Sequence, residues 1–171
     1  LVEKYGERLY SDGFQVVTTI DGRLQRAADV ALRSAVLEYD RRHGWRGRAG
    51  RIALEGEADE ALARTLEEYP VVGGLQPAAV VAVVGASATA VARNGRRYRL
   101  PMDGMRWARK GDEAAPKSPR EVLAVGDVVY VLPTSASEAL LVQKPAAQGA
   151  IVALDPHDGA IIAMSGGFDY Q

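Results

Sequence analysis

Acyl transfer on a serine needs a nucleophile with a base in reach. No Ser in this chain is followed three residues later by Lys, and Gly-x-Ser-x-Gly, Ser-Asp-Asn and Lys-Thr-Gly are all absent. Sugar transfer needs carboxylates paired across a cleft. The adjacent pairs Glu67-Glu68 and Asp112-Glu113 read instead as solvated helix and loop surface. His43 sits where a helix should end and reads as a cap. His157 lies in a turn beside Asp155 and Asp158, and a metal there would need ligands from elsewhere. No metal and no cofactor are expected. The glycines show no phosphate-loop spacing, and Gly166-Gly167 follows a strand with no helix behind it. Cysteine is absent, which excludes disulfides, a thiol nucleophile and cysteine-based zinc or iron–sulfur sites.

Recognition leaves more trace than catalysis. Arg93, Arg96, Arg97 and Arg99 cluster around one predicted hairpin. They read first as a charged edge that resists aggregation, and second as a surface for an acidic partner. The whole chain is close to neutral, with 21 Lys+Arg against 22 Asp+Glu. That balance disfavours nucleic acid, whose binders carry a basic excess. Trp45 could stack on a ligand. Trp107, in Met102-Asp103-Gly104-Met105-Arg106-Trp107-Ala108-Arg109, keeps the company of a packed segment.

The elements that must position these residues follow from the pattern. Phe14–Ile20 is β-branched and predicts a strand. Asp21 offers an N-cap for a helix from Gly22 to Arg42, whose apolar stripe is Leu24, Ala28, Ala31/Leu32, Ala35/Val36 and Tyr39. Arg41 and Arg42 suit its negative end, and Gly44 its left-handed exit. Residues 44–56 predict a lead-in with a short strand. Asp59–Tyr69 predicts a short helix with Ala58, Leu62, Leu66 and Tyr69 inward. Strands are expected at Ala78–Val84, Ala88–Arg93, Arg96–Leu100, Asp127–Leu132 and Ala139–Lys144, close enough together for a small barrel. Asn94-Gly95 predicts a two-residue type I′ turn that pairs Ala92 with Arg97 and Val91 with Tyr98. On that register Val91, Tyr98 and Leu100 face inward while Arg97 and Arg99 project outward. A second hairpin joins Ala150–Leu154 to Ala160–Met164. Lys110–Arg120, with Gly, Pro and many charges, should be a mobile surface loop.

Four stretches, in order, resemble one family. Gly13-Phe14-Gln15-Val16-Val17-Thr18-Thr19-Ile20-Asp21 with Leu24-Gln25-Arg26-Ala27-Ala28 is similar to the linker of class A, bifunctional penicillin-binding proteins. Tyr39-Asp40-Arg41-Arg42-His43-Gly44-Trp45-Arg46-Gly47 is similar to the start of the OB-like insert in the 1A type. Met102–Arg109 resembles a stretch inside that insert. Gln148–Pro156, Gly159–Met164 and Gly166-Gly167-Phe168-Asp169-Tyr170 resemble the opening hairpin of the transpeptidase domain. Ser165 stands where an apolar residue is usual, and Phe168 rather than Lys follows it by three.

The resemblance implies an α+β, mainly β fold. An OB-like small antiparallel barrel would be preceded by a strand and a long helix and followed by a hairpin of the next domain. The expected divisions are a linker at 1–43, the OB-like domain at 44–148 and an incomplete transpeptidase start at 149–171. Both ends read as cut from a longer protein, whose membrane helix and glycosyltransferase domain would precede and whose serine would follow. No catalytic residue of the family carries onto any position here. The resemblance also implies a periplasmic setting at the Gram-negative inner membrane, and an outer-membrane lipoprotein activator as partner. Its candidate contacts are Arg93, Arg96, Arg97, Arg99, Lys110, Lys117 and Arg120. The other reading is an OB module that binds peptidoglycan without a protein partner.

Overall fold

The structure is a computed structural model that describes residues 2–54, 56, 58–111 and 113–169. Two single-turn helices, α1 (Val2–Tyr5) and α2 (Arg8–Ser11), precede the long helix α3 (Gly22–Arg42). Strand β1 (Gly50–Arg51) and helix α4 (Asp59–Thr65) lead into β2 (Gln76–Val84), β3 (Ser87–Ala92) and β4 (Arg97–Pro101). Strands β5 (Asp127–Pro133) and β6 (Ala139–Val142) complete the main sheet, and β7 (Ala150–Leu154) with β8 (Ile161–Gly166) forms a hairpin. The fold is α+β, mainly β, with antiparallel pairing throughout the two sheets.

The expected strand at Phe14–Ile20 does not form. Its β-branched residues favour extended backbone, but a strand also needs a ladder. This segment meets β8 only at its far end, where Thr19 Oγ1 donates to Ile161 O at 2.6 Å and the Asp21 amide to Ile162 O at 2.9 Å. Val17 remains 89% exposed.

Helix α3 starts and stops where its caps predict. The Asp21 carboxylate accepts from the amides of Leu24 (3.1 Å) and Arg23 (2.7 Å), which hold its pKa below the ordinary value. Gly44 takes φ +89° just past the end. The buried stripe is Ala28, Leu32, Val36 and Asp40. Leu24, Ala31, Ala35 and Tyr39 are exposed, contrary to expectation. Steps of four carry the stripe onto Asp40, a carboxylate, instead of the neighbouring aromatic ring.

In the main sheet the order is β1-β5-β2-β3-β4, with β6 also on β5. A register shift between Val80 and Ala82 marks a bulge, the feature that sharpens strand twist. The sheet curls until β4 reaches the lead-in of β6 through an Arg99–Glu138 bridge, with the Arg99 amide donating to Ser137 O at 2.8 Å. Inside lie Val80, Ala90, Tyr98, Leu100, Val129, Val131 and Leu141, joined by Met102, Met105 and Trp45. Each large side chain buried there contributes about 1.5–3 kcal/mol.

The β3–β4 turn differs from expectation by one residue. A type I′ turn needs positive φ at both central positions, and only Gly95 (φ +74°) has it. The loop instead holds Arg93, Asn94 and Gly95, closed by Gly95 N to Ala92 O at 2.8 Å and Ala92 N to Arg96 O at 2.9 Å. Asn94 uses its side chain to brace the turn: Oδ1 accepts from the Arg96 amide and Nδ2 donates to the Tyr98 hydroxyl, each at 3.0 Å. The register becomes Val91↔Arg97, Ala90↔Tyr98 and Thr89↔Arg99. Tyr98 and Leu100 stay inside, with Ala88 and Ala90. Val91, predicted beside them, moves to the opposite face with Arg97.

Helix α4 ends at Thr65, and a 3-10 turn at Leu66–Glu68 continues it. Leu62 and Leu66 are buried, Tyr69 is half-buried, and Ala58, expected inward, is exposed. Strand β8 runs to Gly166 because its pairing extends from Leu154↔Ile161 to Ala150↔Gly166. Lys110, Gly111 and residues 113–118 form no regular element, a 3-10 turn starts at Pro119, and buried Pro116 and Pro119 anchor this part of the chain.

Candidate docking interface

The seven cations singled out by sequence occupy two kinds of place. Three are engaged within the fold. Arg93 Nη1 donates to Tyr69 O at 3.0 Å. Arg97 grips Asp59 with two bonds, Nε to Oδ2 at 2.6 Å and Nη2 to Oδ1 at 2.7 Å. That carboxylate raises the Arg97 pKa further above its ordinary value. Arg99 Nη1 donates to Glu138 Oε1 at 2.8 Å, beside the bridge that joins β4 to β6. The remaining four are exposed. Arg96, Lys110 and Lys117 have no side-chain bond among the described residues, and Arg120 has only a 3.5 Å contact with Val83 O. Lys117 is held by its backbone, whose amide donates to Glu121 Oε2 at 3.1 Å.

Helix α4 and its 3-10 turn lie against the outer face of the sheet, where Leu66 packs on Ala79 and Val128. The Arg97–Asp59 fork clasps the helix onto β4. In an OB barrel, polymers bind over the second and third strands. Here β2, β3 and β4 make the three-strand meander, so those strands are β3 and β4; α4 borders β3 and reaches β4 through the Arg97–Asp59 pair, while its 3-10 turn packs on β2 and β5.

Behind this surface, α3 joins the sheet through a buried polar node. The Asp40 carboxylate, 3% exposed, accepts from Arg46 Nη1 (2.8 Å) and Nη2 (3.0 Å), Gln143 Nε2 (2.7 Å) and the Ala146 amide (3.1 Å). Gln143 also donates to Gly44 O at 2.8 Å and accepts from the Arg46 amide at 3.0 Å. Burial alone would push the Asp40 carboxyl up. The bonds from Arg46, Ala146 and Gln143, with the Arg46 charge, outweigh burial and hold it below the ordinary range. Sequence reading passed over Asp40 and Gln143. The available signal was a carboxylate four residues beyond Val36, on the stripe.

The same helix holds the hairpin at its other end. Gln25 gives and takes one bond with the backbone of Met164, at 2.8 and 2.9 Å, as a strand neighbour would. Gly149 lies so close to Leu32 that a Cβ would come within 2.9 Å of Cδ1. Trp107 is half-buried, edge-on to Trp45 at 5.5 Å, with its Nε1 donating to Leu141 O at 3.2 Å. Arg41 lies 5.6 Å over the Trp107 ring, and burial pulls its pKa down. Both tryptophans therefore serve packing between segments. His43 Nδ1 lies 2.8 Å from Tyr39 O at the helix end, while the backbone amide of His157 donates to Asp155 Oδ1 in the hairpin turn. No group of three or more His, Asp or Glu is placed to hold a metal among the described residues. No helix among them is long and apolar enough to cross a membrane.

Residues 45–147 match the profile of a family described as the penicillin-binding protein OB-like domain. The chain is 35% identical to penicillin-binding protein 1A of Pseudomonas aeruginosa over 176 aligned residues, covering 100% of the chain and 21% of the relative. It is 37% identical to that of Escherichia coli, again covering 100% of the chain and 21% of the relative. Among solved structures, it resembles the crystal structure of penicillin-binding protein 1A from Haemophilus influenzae. That likeness has a TM-score of 0.73 at 32% identity and covers 99% of this chain and 24% of the other. The chain thus spans about a fifth of the length of the curated relatives it matches.

Proposed function

This chain belongs to the class A penicillin-binding proteins of the 1A type and carries their OB-like domain, and on that premise we propose that it is a non-catalytic docking and spacing module of a peptidoglycan synthase. In this reading residues 1–43 are the linker, 44–148 the OB-like domain and 149–171 the start of the transpeptidase domain. The synthase works on the periplasmic side of the Gram-negative inner membrane, polymerising glycan strands and crosslinking their peptides. The module receives an outer-membrane lipoprotein activator.

One observation carries the choice of docking over glycan binding. On the β3–β4 face, where an OB barrel would lay a polymer, Arg97 is already engaged by Asp59 of α4 and Arg99 by Glu138. The unengaged cations Arg96, Lys110, Lys117 and Arg120 lie on turns and loops, the part of a barrel open to a protein partner. Arg93, Arg97 and Arg99 support that surface by holding the chain beneath it.

Calorimetric titration with an outer-membrane lipoprotein activator, run beside soluble muropeptides, tests the proposal. The lipoprotein should bind, and reversing charge at Arg96 and Lys117 should weaken it at least about tenfold while the fold persists. Muropeptides should leave the backbone amide resonances of β3 and β4 unmoved. Muropeptide shifts on those strands with no lipoprotein heat would establish the glycan-binding reading instead. Labelling of the chain by fluorescent penicillin would overturn its non-catalytic role.

A further inference from the structure

Helix α3, the main sheet and the β7–β8 hairpin meet pairwise, and the three polar contacts are unequal. The helix-to-sheet contact is the Asp40 node, with its four bonds to a buried carboxylate. The helix-to-hairpin contact is the Gln25–Met164 pair. The hairpin-to-sheet contact is the slightest. It is one bond, from the Gly73 amide to Asp169 Oδ2 at 2.6 Å, while Arg33 of α3 stands 3.9 Å from Oδ1 on the helix side.

Its geometry is nevertheless shaped to fit. Val72 and Leu75 exchange backbone bonds at 3.3 and 2.9 Å around Gly73 (φ +56°) and Gly74 (φ +83°). Positive φ at both central residues marks a tight two-residue turn, open only to glycine-like positions. The Phe168 ring lies across Gly73, where a Cβ would come within 2.6 Å of it. Phe168 then joins Leu32, Val36, Leu75, Tyr130 and Val142 in one cluster, which draws on all three parts.

We propose that the Gly73-Gly74 turn is a socket and Phe168-Asp169 its plug, together a releasable latch between hairpin and sheet. When it opens, α3 and the hairpin stay paired and swing as one about the Asp40 node. Solvent has access to it, because the Asp169 side chain is 18% exposed and Arg33 half exposed. An open cleft lined by Pro70, Val72, Lys144, Gln148 and Gly166 runs alongside. The Asp40 side chain is 4% exposed against 18% for Asp169, and its four bonds hold through the motion. The latch depends only on these residues and stands apart from the proposed docking role.

The chain contains no cysteine, so pairs of spin labels can be placed at will. Ala136 to His157 spans sheet and hairpin, and Ala27 to His157 spans helix and hairpin; all three positions are exposed. In the Phe168→Ala/Asp169→Ala variant the first distance distribution should widen about twofold while the second keeps its width. An unchanged first distance, or equal widening of both, would overturn the latch. Asp169→Asn provides a milder check by hydrogen exchange. The Gly73 amide should exchange at least about tenfold faster with the Ala136–His157 mean distance retained. Exchange at the original rate would refute the proposal, even if the double variant failed to fold.

Discussion

Asp40→Ala is the most informative single perturbation, because its cost can be worked from the bonds it removes. The substitution deletes two charge-assisted bonds from Arg46, one from Gln143 and one from the Ala146 amide. Breaking a fully buried ion pair costs about 3–5 kcal/mol, since the surviving charge is stranded. Arg46 is not stranded: its side chain is 44% exposed, and Nη2 keeps its 2.7 Å bond to Lys144 O. Gln143 likewise keeps Gly44 O at 2.8 Å. Water can reach the exposed Ala146. The expected loss is therefore smaller, about 2–3 kcal/mol, or about 4–12 °C in Tm for a chain of this size.

Urea unfolding followed by tryptophan fluorescence measures it, with Trp45 packed one residue from Arg46. A cycle with Arg46→Ala should give a coupling above about 1 kcal/mol. The pH dependence supplies a second reading. The folded Asp40 carboxyl lies below its unfolded value, so its contribution is complete above the ordinary carboxylate range and fades as pH falls through the folded value. Wild type and Asp40→Ala should therefore converge in acid. A loss under about 1 kcal/mol, simple additivity with Arg46→Ala, or a gap that ignores acidification would refute the node as an anchor of α3.

Two further outcomes are expected. Gly126→Ala should cost about 2 kcal/mol or more in the same unfolding assay, because position 126 has φ +89° and a Cβ would meet Ile52 O at 2.6 Å. Arg97→Ala should cost only about 0.5–1 kcal/mol, since the Arg97–Asp59 fork is solvent-exposed, and the loss should shrink in high salt.

Sequence legibility tracked how local each determinant was. Helix α3 was readable at both ends because its signals, Asp21 and Gly44, act within a turn of themselves. The strands of the main sheet were readable because short apolar, β-branched runs between turn residues are local signals too. The Phe14–Ile20 strand failed because a β-branched run states a preference and not a partner. The Asn94-Gly95 turn failed because Asn94 bonds Tyr98 and Arg96 with its side chain instead of taking positive φ. For the candidate site, the cations were visible but their engagement was not. Nothing near Arg97 announces Asp59, which lies 38 residues away. Asp40 and Gln143 stand 103 residues apart and are brought together only by the tertiary fold.

Those long-range bonds also bear on the proposed docking role. A spacer transmits position only if its ends are tied to what it separates. Helix α3 is tied to the sheet at Asp40 and to the hairpin at Gln25, and Gly149 brings Leu32 and Val36 against the start of β7. Loops placed on such a frame can vary without moving the frame. The cations engaged at Arg93, Arg97 and Arg99 belong to the frame, whereas Arg96, Lys110, Lys117 and Arg120 belong to what it presents. Reversing the first set should register as lost stability, and reversing the second as lost affinity. That division follows from which side chains the fold already uses.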